Sequence, residues 1–560
     1  MAAGHHDDGS TYSPRIAFIY VFNLIVGTGA LALPSVLTTG GWVLGTLFLL
    51  LVAFTSFVGV TFMIESMAAA NALSHIRHAQ SQDGHYLSDT EPLISDGETS
   101  VIAGGGSESD GGSARAGGGG GGGGGGSGAG GERGGRGAEG SSSGGVGSGV
   151  GGPFEIVQRM EMAQMADMFF GDWGRIFFYI ALILYLFGDA AIYCTFVPRS
   201  LVAFFFPENP PPWAFDAFLT LFVAVIVPFC FFDFQKTKPL QIVTMVIRNA
   251  AISTMIIIAA WVAYNEGPRT TGVPNFRIGA LPNLFGGAVY AFMCHHSLPG
   301  IITPMREKAF IPRVLLSAFL GVFLLYLLLF LSCGIAFGVG AEDPITFNFS
   351  PAKFGWIGDL LFLFPVVTLS SNYPMLTITL RNNLDTLLTL LFPKGSSLLP
   401  AAPAFSPRLP PRASRFSDGP VGGSGGGGGG IGEKALRVPA KEKKGAAWRR
   451  VFVTLLATVP PIACCVIAEH NGVNVNSLVG ATGAYAGAAV MFIIPACLVY
   501  RSRCILNQEL PQGLDDSARR YEPHPLNQHA SPFRSPSWVT SLVLLAILVI
   551  GFISIDEILY

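Results

Sequence analysis

The chain has 560 residues, and its composition is typical of a protein that lies in lipid. Half of the residues are hydrophobic and 12% are charged, whereas a soluble globular protein carries roughly a quarter charged residues. The formal net charge of −2 argues against an electrostatic attraction to nucleic acid, so no nucleic-acid partner is expected. The segment MAAGHHDDGS has no basic n-region and no cleavage site, which predicts that there is no removable signal peptide.

Apolar runs of about 20 residues recur along the chain, and runs of this length can cross a bilayer as helices. They predict an all-α membrane protein with about eleven transmembrane helices. The predicted spans are 15–37, 42–68, 174–197, 214–233, 239–263, 282–304, 312–340, 355–380, 449–468, 475–500 and 537–555.

Two long segments interrupt these spans and are predicted to be disordered loops. Residues 69–152 contain a polyglycine tract and residues 392–446 are rich in proline, glycine and serine, so neither buries enough apolar surface to offset its ordering entropy. Polar residues at every third position of 153–172 predict an amphipathic interfacial helix or, alternatively, a lead-in turn. The remaining segments are a cytoplasmic tail over 1–14, helices 1–2 over 15–68, helices 3–8 over 173–391 and helices 9–11 over 447–560.

Positive charge in the short connections sets the predicted orientation. The connections on the same side of the membrane as the N-terminus contain twelve lysines and arginines, and those on the opposite side contain four. Since basic residues favour the cytoplasmic side, this distribution predicts a cytoplasmic N-terminus and a lumenal or extracellular C-terminus. Asp89, Leu93 and Ile94 in the string DTEPLI match the acidic dileucine pattern that sorting adaptors bind. This match favours an endolysosomal membrane, with the plasma membrane as the alternative.

The first span contains a helix-breaking string, NLIVGTGALALP over 23–34. Gly27, Gly29 and Pro34 are poor helix formers, and broken backbone at membrane depth is tolerated only where it is buried in protein or lines a cavity. Because small residues also mediate helix packing in membranes, this string alone leaves packing and ligand binding both open.

A second interruption lies five spans further on, in the string GGAVYAFMCHHSLPGIITP over 286–304. If spans 1–5 and 6–10 are repeats, each break falls in the first helix of its repeat. Because each repeat has an odd number of spans, the second repeat has the opposite orientation in the membrane. Paired interrupted helices at matching positions are typical of secondary transporters, whose substrate binds near the midplane. The two strings together therefore predict transport.

These residues resemble a known family. The pattern N-x-x-x-G-x-G-x-L-x-x-P at 23–34 resembles the first span of amino acid/auxin permeases, within the amino acid–polyamine–organocation superfamily. The string AFMCHHSLPGI is similar to the sixth span of sodium-coupled neutral amino acid transporters, and FFDFQKTK and TGAYAG extend the resemblance to other spans. The resemblance implies a five-plus-five inverted repeat with broken first and sixth helices, one extra C-terminal helix, and amino acids as substrates.

The resemblance also implies a substrate site at the two breaks. The substrate-binding residues would be Asn23, Val26, Gly27, Thr28, Gly29 and Ala30 in the first span, and Cys294, His295, His296 and Ser297 in the sixth. Backbone groups in the first break would bind the substrate carboxylate and amine. A leucine at Gly29 is then expected to fill the substrate space and abolish transport without disturbing membrane insertion.

The coupling ion, sodium or a proton, remains open, and no other cofactor or metal is predicted. Sodium would be bound by main-chain oxygens near Ile25 and Gly27 together with Thr368, Ser370 or Ser371, and Asn372 stands where a hydroxyl residue is commoner. A proton would be carried by Asp189, His295 or His296, which are ionisable residues inside predicted spans. Asp189 is equally compatible with pairing to a neighbouring helix, and the histidines with structural hydrogen bonds.

The sequence therefore predicts a secondary active transporter, most simply a symporter of amino acids, that works by alternating access. An enzyme is not expected, because only two of the ten histidines lie within a span and no residues have metal-ligand spacing. A transporter-like amino acid sensor, or a membrane scaffold that does not transport, would have the same sequence features and remains the alternative.

Overall fold

The computed structural model describes residues 11–88, 152, 154–231, 238–342, 344–392, 440–510 and 521–559. The predicted sorting motif at Asp89, Leu93 and Ile94 lies outside the described residues, as do the larger parts of the two predicted disordered loops. The helical bundle is formed by the described residues up to Ser74 and from Phe154 onward.

The described chain is helical, and its only β-structure is an isolated bridge between Tyr12 and Met305. The helices are α1 (Pro14–Ile25), α2 (Gly29–Gly40), α3 (Trp42–Ser88), α4 (Met162–Phe169), α5 (Asp172–Phe205), α6 (Ala214–Ile226), α7 (Lys238–Glu266), α8 (Leu281–Ala291), α9 (Leu298–Ile302), α10 (Ile311–Phe337), α11 (Pro351–Phe354), α12 (Trp356–Leu391), α13 (Ala440–His470), α14 (Val475–Thr482), α15 (Ile494–Glu509) and α16 (Pro536–Leu559). Two π-helical segments, Gly483–Gly487 and Ala489–Ile493, connect α14 to α15.

Nine helices in the described part of the chain are long and apolar enough to cross a membrane, and the bent pair α1–α2 would make a tenth. The predicted sixth span consists of the short helices α8 and α9, with Phe292–Ser297 between them. The prediction of an all-α membrane protein with interrupted first and sixth spans is therefore confirmed. The inverted-repeat arrangement of exactly five plus five helices stays a prediction.

Three predicted boundaries differ from the structure. Helix α3 continues to Ser88 although disorder was predicted from residue 69, because the string MAAANALSHIRHA contains no glycine or proline and buries Ala69 and Leu73. Helix α13 begins at Ala440, inside the second predicted loop. The predicted interfacial helix over 153–172 is helical only in α4, from Met162 to Phe169.

The shortened interfacial helix has a local cause. The Asn71 side chain accepts hydrogen bonds from the backbone amides of Val157 at 3.3 Å and Gln158 at 2.8 Å, which fixes this stretch outside a helix. Phe154 and Ile156 are fully buried there, whereas a helix would place them on different faces. A capping box between Glu161 and Gln164 then begins α4.

Glycines allow α8 to approach its neighbours at backbone distance. A Cβ atom added to Gly286 would lie 2.1 Å from the carbonyl oxygen of Gly480, and one added to Gly483 would lie 2.0 Å from that of Gly286. Such contacts between small residues are a main source of helix association in membranes. They fix the helix before the second break against α14.

A buried ion pair closes one end of the bundle, which we call the Arg503 end. Arg503 and Glu65 are each 2% exposed, and the guanidinium donates to both carboxylate oxygens at 2.7 and 2.9 Å. The same carboxylate accepts from the backbone amide of Ser531 at 2.9 Å, and Arg503 donates to the carbonyl of Arg534 at 2.9 Å. These bonds attach the segment 521–535 to α3 and α15.

Candidate substrate site at two interrupted helices

The first break lies between α1 and α2, whose axes differ in direction by 57°. Val26, Gly27 and Thr28 are not helical, so the last carbonyls of α1 and the first amides of α2 have no partners within a helix. The C-terminal end of α1 is therefore electronegative and the N-terminal end of α2 is electropositive. Such a pair of helix ends suits a zwitterion.

The second break lies between α8 and α9 and has the same character. Helix α8 ends at Ala291, and α9 begins at Leu298 with Pro299 in its first turn, where a missing amide hydrogen is tolerated. Cys294 and His295 in this break are fully buried.

The two breaks meet in space. A Cβ atom added to Gly29 would lie 2.4 Å from the Cα atom of Ala291, so the start of α2 touches the end of α8. The hydroxyl of Tyr326 on α10 lies 3.1 Å from both the Ile25 and the Ala291 carbonyl oxygens and donates to them. One tyrosine thus links the last carbonyls of α1 and α8.

A polar cluster lies at this junction and connects three predicted spans. The hydroxyl of Tyr290 donates to the Asp189 carboxylate on α5, and it forms a hydrogen bond of 2.7 Å with the Thr28 hydroxyl. The ring of Tyr185 lies 6.4 Å from that of Tyr290 and 5.4 Å from that of His296. We call Thr28, Tyr185, Asp189, Tyr290 and His296 the junction cluster.

The other predicted substrate residues lie in different surroundings. His295 turns away from the junction cluster, with Nε2 3.2 Å from the Ser56 carbonyl oxygen on α3. The Asn23 side chain donates to the Ile19 carbonyl at 2.6 Å and accepts from Asn249 on α7. Ser297 precedes α9 without capping it through its side chain. The structure thus brings Thr28 and His296 together with Asp189, and it places Asn23 and His295 against other helices.

Gly27 and Gly29 differ in what surrounds them. A Cβ atom added to Gly27 would meet only the Ile25 carbonyl oxygen, at 3.9 Å, whereas one added to Gly29 would collide with the Ala291 backbone. The expectation that a side chain at Gly29 would fill the substrate space is therefore corrected, because Gly29 is a packing position. Gly27 is the glycine of this break that has free space beside it.

Two of the predicted sodium ligands form hydrogen bonds within their own helix. The Thr368 hydroxyl donates to the Phe364 carbonyl at 2.8 Å, and the Ser371 hydroxyl donates to the Thr368 carbonyl at 2.9 Å, both within α12. Ser370 and Asn372 lie on the same helix and are half-buried. Among the described residues, no hydrogen bond joins these four side chains to α1.

The freed carbonyls of α1 are instead bound by Arg248 on α7. Its Nη1 donates to the Val26 carbonyl at 2.6 Å and lies 3.2 Å from the Asn23 carbonyl oxygen. In the part of the chain that the structure describes, no group of three or more His, Cys, Asp or Glu side chains could hold a metal ion.

A polar cavity of about 220 Å³ lies at the other end of α2 from the break. Its lining includes the neutral polar residues Ser35, Thr38, Thr39, Asn283, Asn476 and Ser477. Ser35 follows Thr28 by two helical turns, which is roughly 10 Å at 1.5 Å per residue. We call this the cavity end of the bundle.

Sequence reasoning missed three residues of the site. Arg248 is a charged residue within the span 239–263, and the rule that intramembrane charges are functional would have found it. Tyr290 directly precedes the second break, and a buried tyrosine needs a hydrogen-bond partner. Tyr326 lies in a uniformly apolar span and gives no signal in the sequence.

Comparisons with known proteins agree with this architecture. A family profile described as transmembrane amino acid transporter protein matches residues 158–505. Transmembrane protein 104 of Homo sapiens is 30% identical over 594 residues, covering 100% of this chain and 99% of the relative. The transmembrane protein 104 homologs of Drosophila melanogaster and Dictyostelium discoideum are 29% and 30% identical, with 98% of this chain and 97% of each relative covered.

One solved structure is also similar, a crystal structure of the Eremococcus coleocola manganese transporter in complex with an aromatic bis-isothiourea substituted compound. The match covers 99% of this chain and 87% of that chain at 14% identity, and its TM-score of 0.44 is too low to support an argument. The sequence-based resemblance to amino acid permeases is confirmed by the family profile, and with it the prediction of a multi-pass membrane transporter. The chain belongs to the transmembrane amino acid transporter family.

Proposed function

We propose that the chain is a secondary active transporter of amino acids that holds its substrate where the two breaks meet. The observation that carries the proposal is the junction cluster, in which Thr28, Tyr290 and Asp189 are joined by hydrogen bonds across both interrupted helices. The electropositive start of α2 suits the substrate carboxylate. The Asp189 carboxylate suits the substrate ammonium group.

Alternating access is supported by the difference between the two ends of the bundle. The Arg503 end is closed by the buried Glu65–Arg503 pair, whereas the cavity end contains a polar cavity of about 220 Å³. A transporter exposes its site to one side at a time as one part of the bundle moves against the other. The breakage of the Glu65–Arg503 pair is the step that opening of the Arg503 end requires.

Proton coupling is proposed through Asp189. It is a buried carboxyl at the junction, and the groups that face it are Tyr185 and Tyr193 on its own helix and Tyr290 on α8. A titratable group that contacts the substrate site can take up a proton on one side of the membrane and release it on the other.

Reconstitution of the purified protein in proteoliposomes tests this function. Uptake of a panel of radiolabelled amino acids is measured with and without an imposed pH gradient, and binding of the same panel is measured in detergent. The proposal expects accumulation that the pH gradient increases and that Asp189→Asn removes. Binding without uptake would favour the alternative of an amino acid sensor, and neither binding nor uptake would favour a scaffold.

We also propose an endolysosomal location with a cytoplasmic N-terminus, on the basis of the dileucine string and the distribution of basic residues. Replacing Leu93 and Ile94 with alanine is expected to move the tagged protein to the cell surface. Endolysosomal staining that is unchanged in this variant would contradict the sorting role of the string.

A further inference from the structure

We propose that Arg248 acts as a resident cation at the end of α1, so that the chain binds no sodium there and transports without it. This inference rests on the proposed function, and it concerns the same break of α1 beside which the sequence predicts sodium.

The carbonyl groups at the first break lie at the electronegative end of α1, where a positive charge is stabilising. Helix α1 ends at Ile25, so its last carbonyls have no amide partner and carry the negative end of the helix dipole. The Arg248 Nη1 lies 2.6 Å from the Val26 oxygen and 3.2 Å from the Asn23 oxygen. A guanidinium is permanently charged, so it supplies to these oxygens the positive charge that a bound ion would supply.

A second cation has no suitable position beside this side chain. A hard cation ligated by the Val26 oxygen at roughly 2.4 Å would lie within roughly 5 Å of Nη1, where two positive charges in a medium of low dielectric repel each other. The next carbonyl, that of Ile25, already accepts from the Tyr326 hydroxyl at 3.1 Å.

Helix α7 holds α1 at two successive residues, which fixes Arg248 in place. Asn249 donates to the side-chain oxygen of Asn23, next to the carbonyl that Arg248 binds. On α12, Thr368 and Ser371 satisfy their hydroxyl donors within their own helix, at 2.8 and 2.9 Å. The cationic contact to α1 thus comes from α7.

The test compares sodium with potassium in the full-length protein. The Tm of the purified chain is measured while sodium chloride is replaced by potassium chloride at constant ionic strength, which needs no substrate. The wild type and Arg248→Lys are expected to show no sodium-specific shift in Tm. Arg248→Met exposes the Asn23 and Val26 carbonyls and is expected to gain a saturable, sodium-specific rise in Tm.

Arg381→Met is the matched control, because Arg381 on α12 also donates to a backbone carbonyl, that of Cys230 at 3.3 Å, but lies away from α1. It is expected to lower Tm equally in both salts. A sodium-specific rise in the Tm of the wild type would overturn the proposal, even if Arg248→Met does not fold. An Arg248→Met protein that folds and ignores sodium would also overturn it, because Arg248 would then be a structural cap.

A flux measurement distinguishes this inference from the proposed function. In proteoliposomes, uptake by the wild type is expected to be the same when sodium is replaced by potassium on both sides. Uptake that is lost without sodium would contradict the role of Arg248 and leave the transporter function in place. Absence of uptake for every amino acid would count against the transporter function, while the Tm series would still decide the role of Arg248.

Discussion

Glu65 and Arg503 are charged side chains that stay in a nearly water-free environment because they neutralise each other. Both are 2% exposed, and the pair also binds backbone groups of the segment 521–535. Removing one member of a buried ion pair leaves the other charge uncompensated, which costs about 3–5 kcal/mol.

The first prediction is that Glu65→Gln lowers the free energy of unfolding by about this amount, ~3–5 kcal/mol. Thermal unfolding in detergent measures the effect. The control is Arg159→Gln, which breaks an ion pair to Glu161 whose side chains are 60% and 52% exposed, and is expected to cost about 0–1 kcal/mol. Equal losses of unfolding free energy in Glu65→Gln and Arg159→Gln would contradict the prediction, because the buried pair would then stabilise the fold no more than an exposed one.

His529 in the same segment makes stability depend on pH. Burial, together with the positive charge of nearby Lys308, lowers the pKa of His529 from 6.5 to about 4. Between about pH 6.5 and about pH 4 the unfolded chain therefore binds a proton that the folded chain does not, so stability falls as the pH falls through this window. His524, whose pKa is also lowered by burial, acts in the same direction.

The second prediction follows from this linkage. His529→Gln cannot take up the proton, so its Tm is expected to decline less than that of the wild type when the pH is lowered from about 7 to about 5. The control is His470→Gln, at a residue whose side chain is 60% exposed. A wild-type decline that His529→Gln leaves unaltered would contradict the prediction.

At the scale of helices, Tyr326 joins the two interrupted spans. Its hydroxyl lies 3.1 Å from the last carbonyl of α1 and from that of α8, where no amide is available. Removing the hydroxyl leaves both buried carbonyls without this donor, which costs about 1–3 kcal/mol for an unsatisfied group.

The third prediction is that Tyr326→Phe lowers the free energy of unfolding by about 1–3 kcal/mol and weakens substrate binding, because the two breaks are no longer held together. Thermal unfolding and binding of the amino acid panel measure the two effects. Tyr264→Phe, at a tyrosine that is 89% exposed, is the control and is expected to change neither. Unchanged stability in Tyr326→Phe would mean that the hydrogen bonds from the Tyr326 hydroxyl to the Ile25 and Ala291 carbonyls are not required for stability.

The helices and their interruptions were predictable from the sequence, whereas the contacts between them were not. Apolar length determined the spans, and glycine and proline marked both breaks, because these properties act over a few neighbouring residues. The bridge from Tyr326 joins residues about 300 positions apart in the sequence, and no local pattern reports it. The end of α3 was misplaced because burial of Ala69 and Leu73 depends on the bundle around them.

The same distinction applies to the candidate site. The sequence placed substrate at both breaks and named Asp189, and the structure brings Thr28 and Asp189 together through Tyr290. The sequence could not distinguish the roles of Gly27 and Gly29, because these depend on the position of α8. Helix α8 packs against Gly29 and leaves space beside Gly27. Arg248 was overlooked as a charge within a span, although its binding to the α1 carbonyls is visible only in three dimensions.

For the whole molecule, the architecture is a helical bundle with a closed Arg503 end and a cavity end. The Glu65–Arg503 pair closes the Arg503 end, and Ser35, Asn283 and Asn476 line the cavity at the cavity end. The two breaks lie between them, joined by Tyr326. The proposed function requires that an amino acid binds where the two breaks meet, beside Gly27.

The measurement that tests this claim most directly is amino acid uptake by proteoliposomes containing Gly27→Leu, compared with Gly551→Leu as the control. An added Cβ meets only the Ile25 carbonyl oxygen, at 3.9 Å, beside Gly27 and nothing within 4 Å beside Gly551. The Tm of both variants is measured first, and uptake is compared for folded protein. Uptake is expected to fall roughly a hundredfold in Gly27→Leu, because the leucine occupies the substrate space, and to stay at the wild-type level in Gly551→Leu. Wild-type uptake and affinity in a folded Gly27→Leu protein would contradict the account and place the substrate elsewhere.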